Sequence, residues 1–169
     1  MVSTSQVPRP KRVLVVDDDP AICDFLQETL AAGGWAADVA SSAQEAVRLF
    51  AINRYDLITL DCFMPGTTGV ELHHVLSHVY GFGRRLSPLL PQRLPPVLVI
   101  TGFSQHVLLR DLAFGEGVVG VLQKPVAPEH LTCVVKGLLD WEATRSDRRA
   151  KALKRLRPHL RKTLATPGK

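Results

Sequence analysis

Short apolar runs that stop abruptly at a polar residue, each followed by a helical pattern, constrain this chain more than any other feature of it. Arg12–Val16 reads R-V-L-V-V and ends in Asp17-Asp18-Asp19-Pro20. A fully apolar, β-branched run of this length predicts a strand buried on both faces, as in parallel sheets. Asp19 before Pro20 predicts an N-cap with proline at the first helical position. Ile22, Phe25, Leu26, Thr29 and Leu30 then share one helical face, and Gly33-Gly34 ends the helix.

The pattern recurs. Trp35–Ala40 predicts a second, weaker strand, and Ser42 with Glu45 forms an S-x-x-E capping box before a helix with Ala46, Val47, Phe50 and Ala51 inward. Leu57–Leu60 predicts a third strand, stopped by Asp61. Cys62–Thr68 reads as a Pro/Gly loop and Thr68–Val79 as a third helix. Tyr80–Pro96 holds Gly81, Gly83, Pro88, Pro91, Pro95 and Pro96 and reads as a loop or irregular insertion. Val97–Ile100 is a fourth strand ending at Thr101-Gly102, and Gln105–Phe114 a fourth helix. Val118–Leu122 is a fifth strand ending at Gln123-Lys124-Pro125, and Pro128–Leu139 a fifth helix. Strand and helix in strict alternation argue an α/β fold with one parallel sheet and right-handed crossovers. Ligands of such sheets bind outside the carboxyl ends of the strands.

Those ends carry the chemistry. If the second strand, which ends in Ala40-Ser41, is an edge, then Asp17, Asp18, Asp61, Thr101 and Lys124 converge on one crevice. Three neighbouring carboxylates repel, so one pKa rises unless a cation is bound. An all-oxygen set suits Mg²⁺. A carboxylate nucleophile, a divalent cation, a fixed ammonium and a hydroxyl donor are the parts phosphoryl transfer needs.

The ordered pieces V-L-V-V-D-D-D-P, L-D-C-F-M-P-G, V-I-T-G and Q-K-P resemble the receiver domain of bacterial response regulators, the CheY-like family, over about residues 11–139. The resemblance implies a CheY-like (flavodoxin-like) doubly wound five-stranded sheet of order 2-1-3-4-5. It implies that Asp61 is the phosphoacceptor, and that Asp17, Asp18, Asp61 and the Phe63 carbonyl hold Mg²⁺. Thr101, the small Gly102 and Lys124 then serve the phosphoryl group, with a cis bond before Pro125. By the same resemblance the chain is a signalling protein rather than an enzyme. Its phosphoryl donor would be a sensor histidine kinase or histidine phosphotransfer protein, and its output a phosphorylation-dependent protein–protein interaction.

Some residues depart from the family pattern. The aromatic switch position of the fifth strand falls on Val121. Phe63 and Phe103, two past the acceptor and two past the threonine, flank the path of hydrolytic water and imply a long-lived phosphoryl group. The Tyr80–Pro96 stretch adds about ten residues and exposes Arg84, Arg85 and Arg93 as a docking loop or a plain surface insertion. A haloacid-dehalogenase-like reading of Asp17 and Asp19 would need a later pair of adjacent acids, and none follows. His73, His74 and His78 lack a fourth ligand and read as helix residues, and Cys62 as a buried inert thiol.

Charge completes the reading. The net +5 suggests an anionic partner for the whole chain, but residues 1–141 hold 11 Lys/Arg against 14 Asp/Glu, a net of −3. Residues 142–169 hold 10 Lys/Arg against Glu142 and Asp147, a net of +8. Residues 1–10 are expected to be disordered, and residues 140–169 to form a basic amphipathic helical tail that Pro158 kinks or splits. The tail's Arg148, Arg149, Lys151, Lys154, Arg155, Arg157, Arg161 and Lys162 could dock a protein partner or a second copy, or touch nucleic acid or anionic lipid. The alternative function is therefore a DNA- or RNA-binding transcriptional regulator acting through this tail. Met1–Pro10 has no apolar leader, no run approaches the ~20 residues of a membrane span, and Cys23, Cys62 and Cys133 are isolated, so a cytoplasmic protein with reduced thiols is expected.

Overall fold

A computed structural model describes residues 9–86, 94–102 and 117–163, with side chains described for 9–81, 94–102 and 117–145. In chain order the elements are β1 (Arg12–Val16), α1 (Pro20–Ala32), β2 (Ala36–Ala40), α2 (Ala43–Ile52), β3 (Leu57–Leu60), β4 (Phe63–Met64), β5 (Thr67–Thr68), α3 (Gly69–Leu86), β6 (Val97–Thr101), β7 (Val118–Gln123) and α4 (Pro128–Thr163). Five strands form one parallel sheet of order β2-β1-β3-β6-β7. Since β4 and β5 pair only with each other, this is the anticipated 2-1-3-4-5 topology.

Burial explains the strand sequences. Every residue of β3 and β6 is buried, as are the last four of β1, because helices cover both faces of a doubly wound sheet. Leu14, Ile58, Leu60 and Val99 meet Leu72 and Leu76 of α3 and Phe50 of α2 in one apolar cluster. At the amino ends of the strands a polar clamp fixes the register. Arg12 Nε pairs with Asp38 Oδ2 at 2.8 Å, and the Tyr55 hydroxyl donates to the same oxygen at 2.6 Å. The Arg12 backbone N–H and Lys11 both reach Asp56, each at 3.0 Å. Of the ten N-terminal residues expected to be disordered, Arg9 and Pro10 are described, and Arg9 also pairs with Asp56, at 3.0 Å.

Three expectations need correction. The stretch from Tyr80 is not loop throughout, because α3 continues to Leu86. Gly81 and Gly83 each weaken a helix by only about 1 kcal/mol, and no proline removes an N–H before Pro88. Cys62–Thr68 is not an open loop but holds the β4–β5 hairpin, turned by Pro65 and Gly66. Gly66 has the φ of +80° that the second central residue of a type II turn requires. The last two anticipated helices are one helix, α4, unbroken through Pro158. A proline forfeits one ladder bond, and here the helical path continues on both sides of it. Arg93, Phe103 and the fourth helix, Gln105–Phe114, lie outside the described residues, as do the side chains of Arg84, Arg85 and the tail from residue 146.

The chain divides into two compact units, Met1–Thr132 and Cys133–Lys169. In the second, Val135 and Leu139 are buried, and Arg145 lies 4.9 Å over the Trp141 ring and 3.7 Å from Glu142. Among the described residues no helix is long and apolar enough to cross a membrane.

Candidate functional site

The site forms because β1, β3, β6 and β7 run parallel and end together. The Asp61 N–H donates to the Val16 carbonyl at 2.9 Å, and the Asp17 N–H to the Ala40 carbonyl at 3.2 Å. The Lys124 N–H donates to the Thr101 carbonyl at 2.8 Å. These bonds carry the ladders past the strand ends and fix each functional residue through its own backbone. One cavity of about 310 Å³ is lined by Asp17, Asp18, Asp19, Asp61, Phe63, Thr101, Gly102 and Lys124. Asp17, Asp61 and Thr101 are buried, whereas Asp18 is exposed. The Lys124–Pro125 peptide bond is cis.

One oxygen from each of Asp17, Asp18 and Asp61 lies within 4.8 Å of the others. Asp19 stands apart in role. Its side chain caps α1, accepting from the Ala21 N–H at 2.9 Å. Lys124 Nζ reaches Asp17 Oδ2 at 2.6 Å and Asp61 Oδ2 at 3.5 Å. Burial pushes the Asp61 carboxyl above the ordinary carboxylate range; Lys124 pulls it back, and the charge of Asp17 adds to the rise. For Lys124 burial works against the charged form, but the hydrogen bond and charge of Asp17, with the charge of Asp61, raise its pKa on balance. The Asp61 carboxyl thus rises as anticipated, but burial contributes more to the rise than the neighbouring carboxylate does.

Residues the sequence reading passed over hold this arrangement. The Cys23 thiol donates to the Asp17 carbonyl at 3.1 Å, and burial raises its pKa to about 11. Thr68 and Glu71 form a second capping box: the Glu71 N–H donates to Thr68 Oγ1 at 3.2 Å, and the Thr68 N–H to Glu71 Oε2 at 2.8 Å. The T-x-x-E signal was available in the sequence. Gly69 opens α3 directly against Asp61, where a Cβ would lie 2.5 Å from the Asp61 carbonyl oxygen. The Gly69 N–H donates to the Cys62 carbonyl at 2.9 Å, so hairpin and helix close as one unit over the end of β3.

Comparison with known proteins agrees with this geometry. Residues 13–136 match the family described as "Response regulator receiver domain". The response regulator MprA of Mycobacterium sp. (strain KMS) is 34% identical over 130 residues, covering 77% of this chain and 51% of that protein. The chain therefore spans about half the length of the curated relatives it matches. Among solved structures, a CheY-like receiver domain protein of Methanospirillum hungatei JF-1 is similar with a TM-score of 0.67 and 25% identity, covering 80% of this chain and 98% of that one. The chemotaxis protein CheY4 of Vibrio cholerae is similar with a TM-score of 0.65 and 25% identity, covering 76% and 98%.

Proposed function

We propose that this chain, which belongs to the response regulator receiver family, accepts a phosphoryl group on Asp61 from a phosphohistidine of a sensor kinase or phosphotransfer protein. The observation that carries the reading is the convergence of Asp17, Asp18, Asp61, Thr101 and Lys124 on one cavity at the strand ends. In the transfer an Asp61 carboxylate oxygen forms a bond to phosphorus as the phosphorus–nitrogen bond breaks, and the departing imidazole keeps the electron pair and takes up a proton. Lys124 compensates the incoming negative charge, and the Thr101 hydroxyl donates to a phosphoryl oxygen. Gly102 leaves room for the phosphoryl group, and Pro125 helps aim the lysine.

Three carboxylates within 4.8 Å form a hard, all-oxygen donor set that fits Mg²⁺. Asp17, Asp18, Asp61 and the Phe63 carbonyl are the groups that would hold it. When bound, the ion neutralises charge on the phosphoryl oxygens.

Phosphorylation then biases a pre-existing two-state equilibrium and changes protein partners. The exposed Val121 stands where the family carries an aromatic switch, so readout falls to backbone and loop shifts, or to another face, rather than to a ring rotamer. Free cysteines support a cytoplasmic setting. The test is mass spectrometry of the full chain after incubation with acetyl phosphate. A phosphoryl adduct that requires Mg²⁺ and disappears in Asp61→Asn is the expected result.

A second reading rests on the charge of residues 142–169, in which Arg148, Arg149, Lys151, Lys154, Arg155, Arg157, Arg161 and Lys162 follow one another along α4. Binding of DNA or RNA through them would weaken steeply with salt and be lost on truncation at residue 141. Protein docking by the tail would survive added salt far better.

A further inference from the structure

The outer face of α3 carries two imidazoles that phosphoryl chemistry at the strand ends does not use. Glu71, His74, Val75 and His78 are exposed, whereas Leu72, His73 and Leu76 are buried. His74 and His78 stand four residues apart, which puts their Cβ atoms about 5–6 Å from each other on one face of the helix. The His78 Nδ1 lies 2.8 Å from the His74 carbonyl oxygen. A carbonyl only accepts, so in this bond Nδ1 carries the hydrogen and Nε2 keeps its lone pair. The His74 ring meets the buried His73 ring edge-on, with centroids 6.2 Å apart and planes at 77°. Both rings are therefore held by contacts within α3.

An imidazole that donates one ring N–H to a backbone carbonyl has its tautomer and orientation fixed, and the other nitrogen is left as a metal ligand. We propose that His74 and His78 form a site on α3 for a divalent transition-metal ion of the Zn²⁺ and Ni²⁺ class, chelated across one helical turn. Its nitrogen donors set it apart from Asp17, Asp18 and Asp61, whose hard oxygens suit Mg²⁺. A closed structural zinc site takes four protein ligands, but an open site completes its coordination with water. Glu71, one turn before His74, adds negative charge to the same face. Its Oε2 already accepts from the Thr68 N–H at 2.8 Å, so it acts through charge rather than as a ligand. The ion ties one turn of α3 to the next, and by binding the folded helix it stabilises it through mass action.

The experiment is calorimetric titration of the untagged full chain with Ni²⁺ in millimolar Mg²⁺, each variant being checked for folding by circular dichroism. His74→Gln and His78→Gln should each weaken Ni²⁺ binding by about tenfold or more, because a single imidazole no longer chelates. Ni²⁺ should raise the melting temperature of wild type and lose that effect in both variants. His130→Gln, which removes an exposed histidine of α4, should bind Ni²⁺ as wild type does. If either glutamine variant does not fold, the asparagine variant at the same position takes its place with the same expectation. Unchanged affinity in both variants, a loss in only one of them, or an equal loss in His130→Gln overturns the site. Mg²⁺-dependent phosphorylation of Asp61 should be the same in both histidine variants as in wild type, so the α3 site and the reading of Asp61 stand or fall separately.

Discussion

The Lys124 ammonium sits 2.6 Å from Asp17 Oδ2, an ion pair whose side chains are only 17% and 2% exposed. It joins the last strand of the sheet to β1, and its 3.5 Å contact with Asp61 brings in β3. Without the cation, two buried carboxylates face each other uncompensated. Lys124→Met should therefore destabilise the metal-free protein by about 2–3 kcal/mol at neutral pH. The Lys124 pKa is raised on folding, so its contribution is complete below its ordinary value of 10.5 and fades as pH rises through the higher folded value. Urea melts from pH 7 to 11 should show the wild-type advantage constant at first, then shrinking above about pH 10.5. A gap that stays constant to pH 11 contradicts the assignment.

Asp61 is held in a state that costs the fold stability. Burial raises its pKa on folding, so the folded protein binds this proton more tightly than the unfolded chain. The penalty is complete at neutral pH and relieved as pH falls through the folded value. Asp61→Asn keeps an oxygen for the Cys62 N–H and removes the charge. It should raise the melting temperature of metal-free protein by a few degrees at pH 7, about 1 kcal/mol. At pH 4 the difference should be smaller. Millimolar Mg²⁺ should stabilise wild type more than the variant.

Gly69 approaches Asp61 through space rather than sequence. A Cβ there would lie 2.5 Å from the Asp61 carbonyl oxygen and 3.0 Å from Cys62 Cα, both backbone atoms that no side-chain rotation can move aside. Gly69→Ala should cost about 1–3 kcal/mol and displace the end of β3. Denaturant unfolding gives the first number, and loss of beryllofluoride affinity in the folded variant reports the second. Gly81, with nothing within 4 Å of its Cβ position, is the control, and Gly81→Ala should not destabilise α3.

The sequence made the sheet legible because its strands are apolar throughout and stop sharply. Asp17, Asp61 and Thr101 could be placed on one rim from topology alone. Thr68 and Glu71 carried a readable capping signal beside the hairpin, but Pro65 and Gly66 dominated the local pattern and hid it. The continuation of α3 past Tyr80 was illegible for a similar reason: glycine marks both loops and weak helix, and only packing decides between them. The contacts of Gly69 with Asp61 and of Cys23 with the Asp17 carbonyl have no sequence signal at all. They depend on how neighbouring segments close in space.

Phe63 bears on the lifetime of the phosphoryl group proposed for Asp61. It lines the same cavity as Asp61 and leaves 36% of its surface exposed, so it presents an apolar ring there. Hydrolysis of an acyl phosphate needs a water held in line with the phosphorus–oxygen bond, and an aromatic ring offers that water no directed hydrogen bond. Phe63→Asn supplies both a donor and an acceptor at the same place. If a positioned water is worth about one hydrogen bond in the transition state, the phosphoryl group should be lost about tenfold faster. The measurement is the decay of phosphorylated protein after removal of the phosphodonor, followed by mass spectrometry in Mg²⁺. Equal or slower decay in Phe63→Asn means the ring does not guard the phosphoryl group.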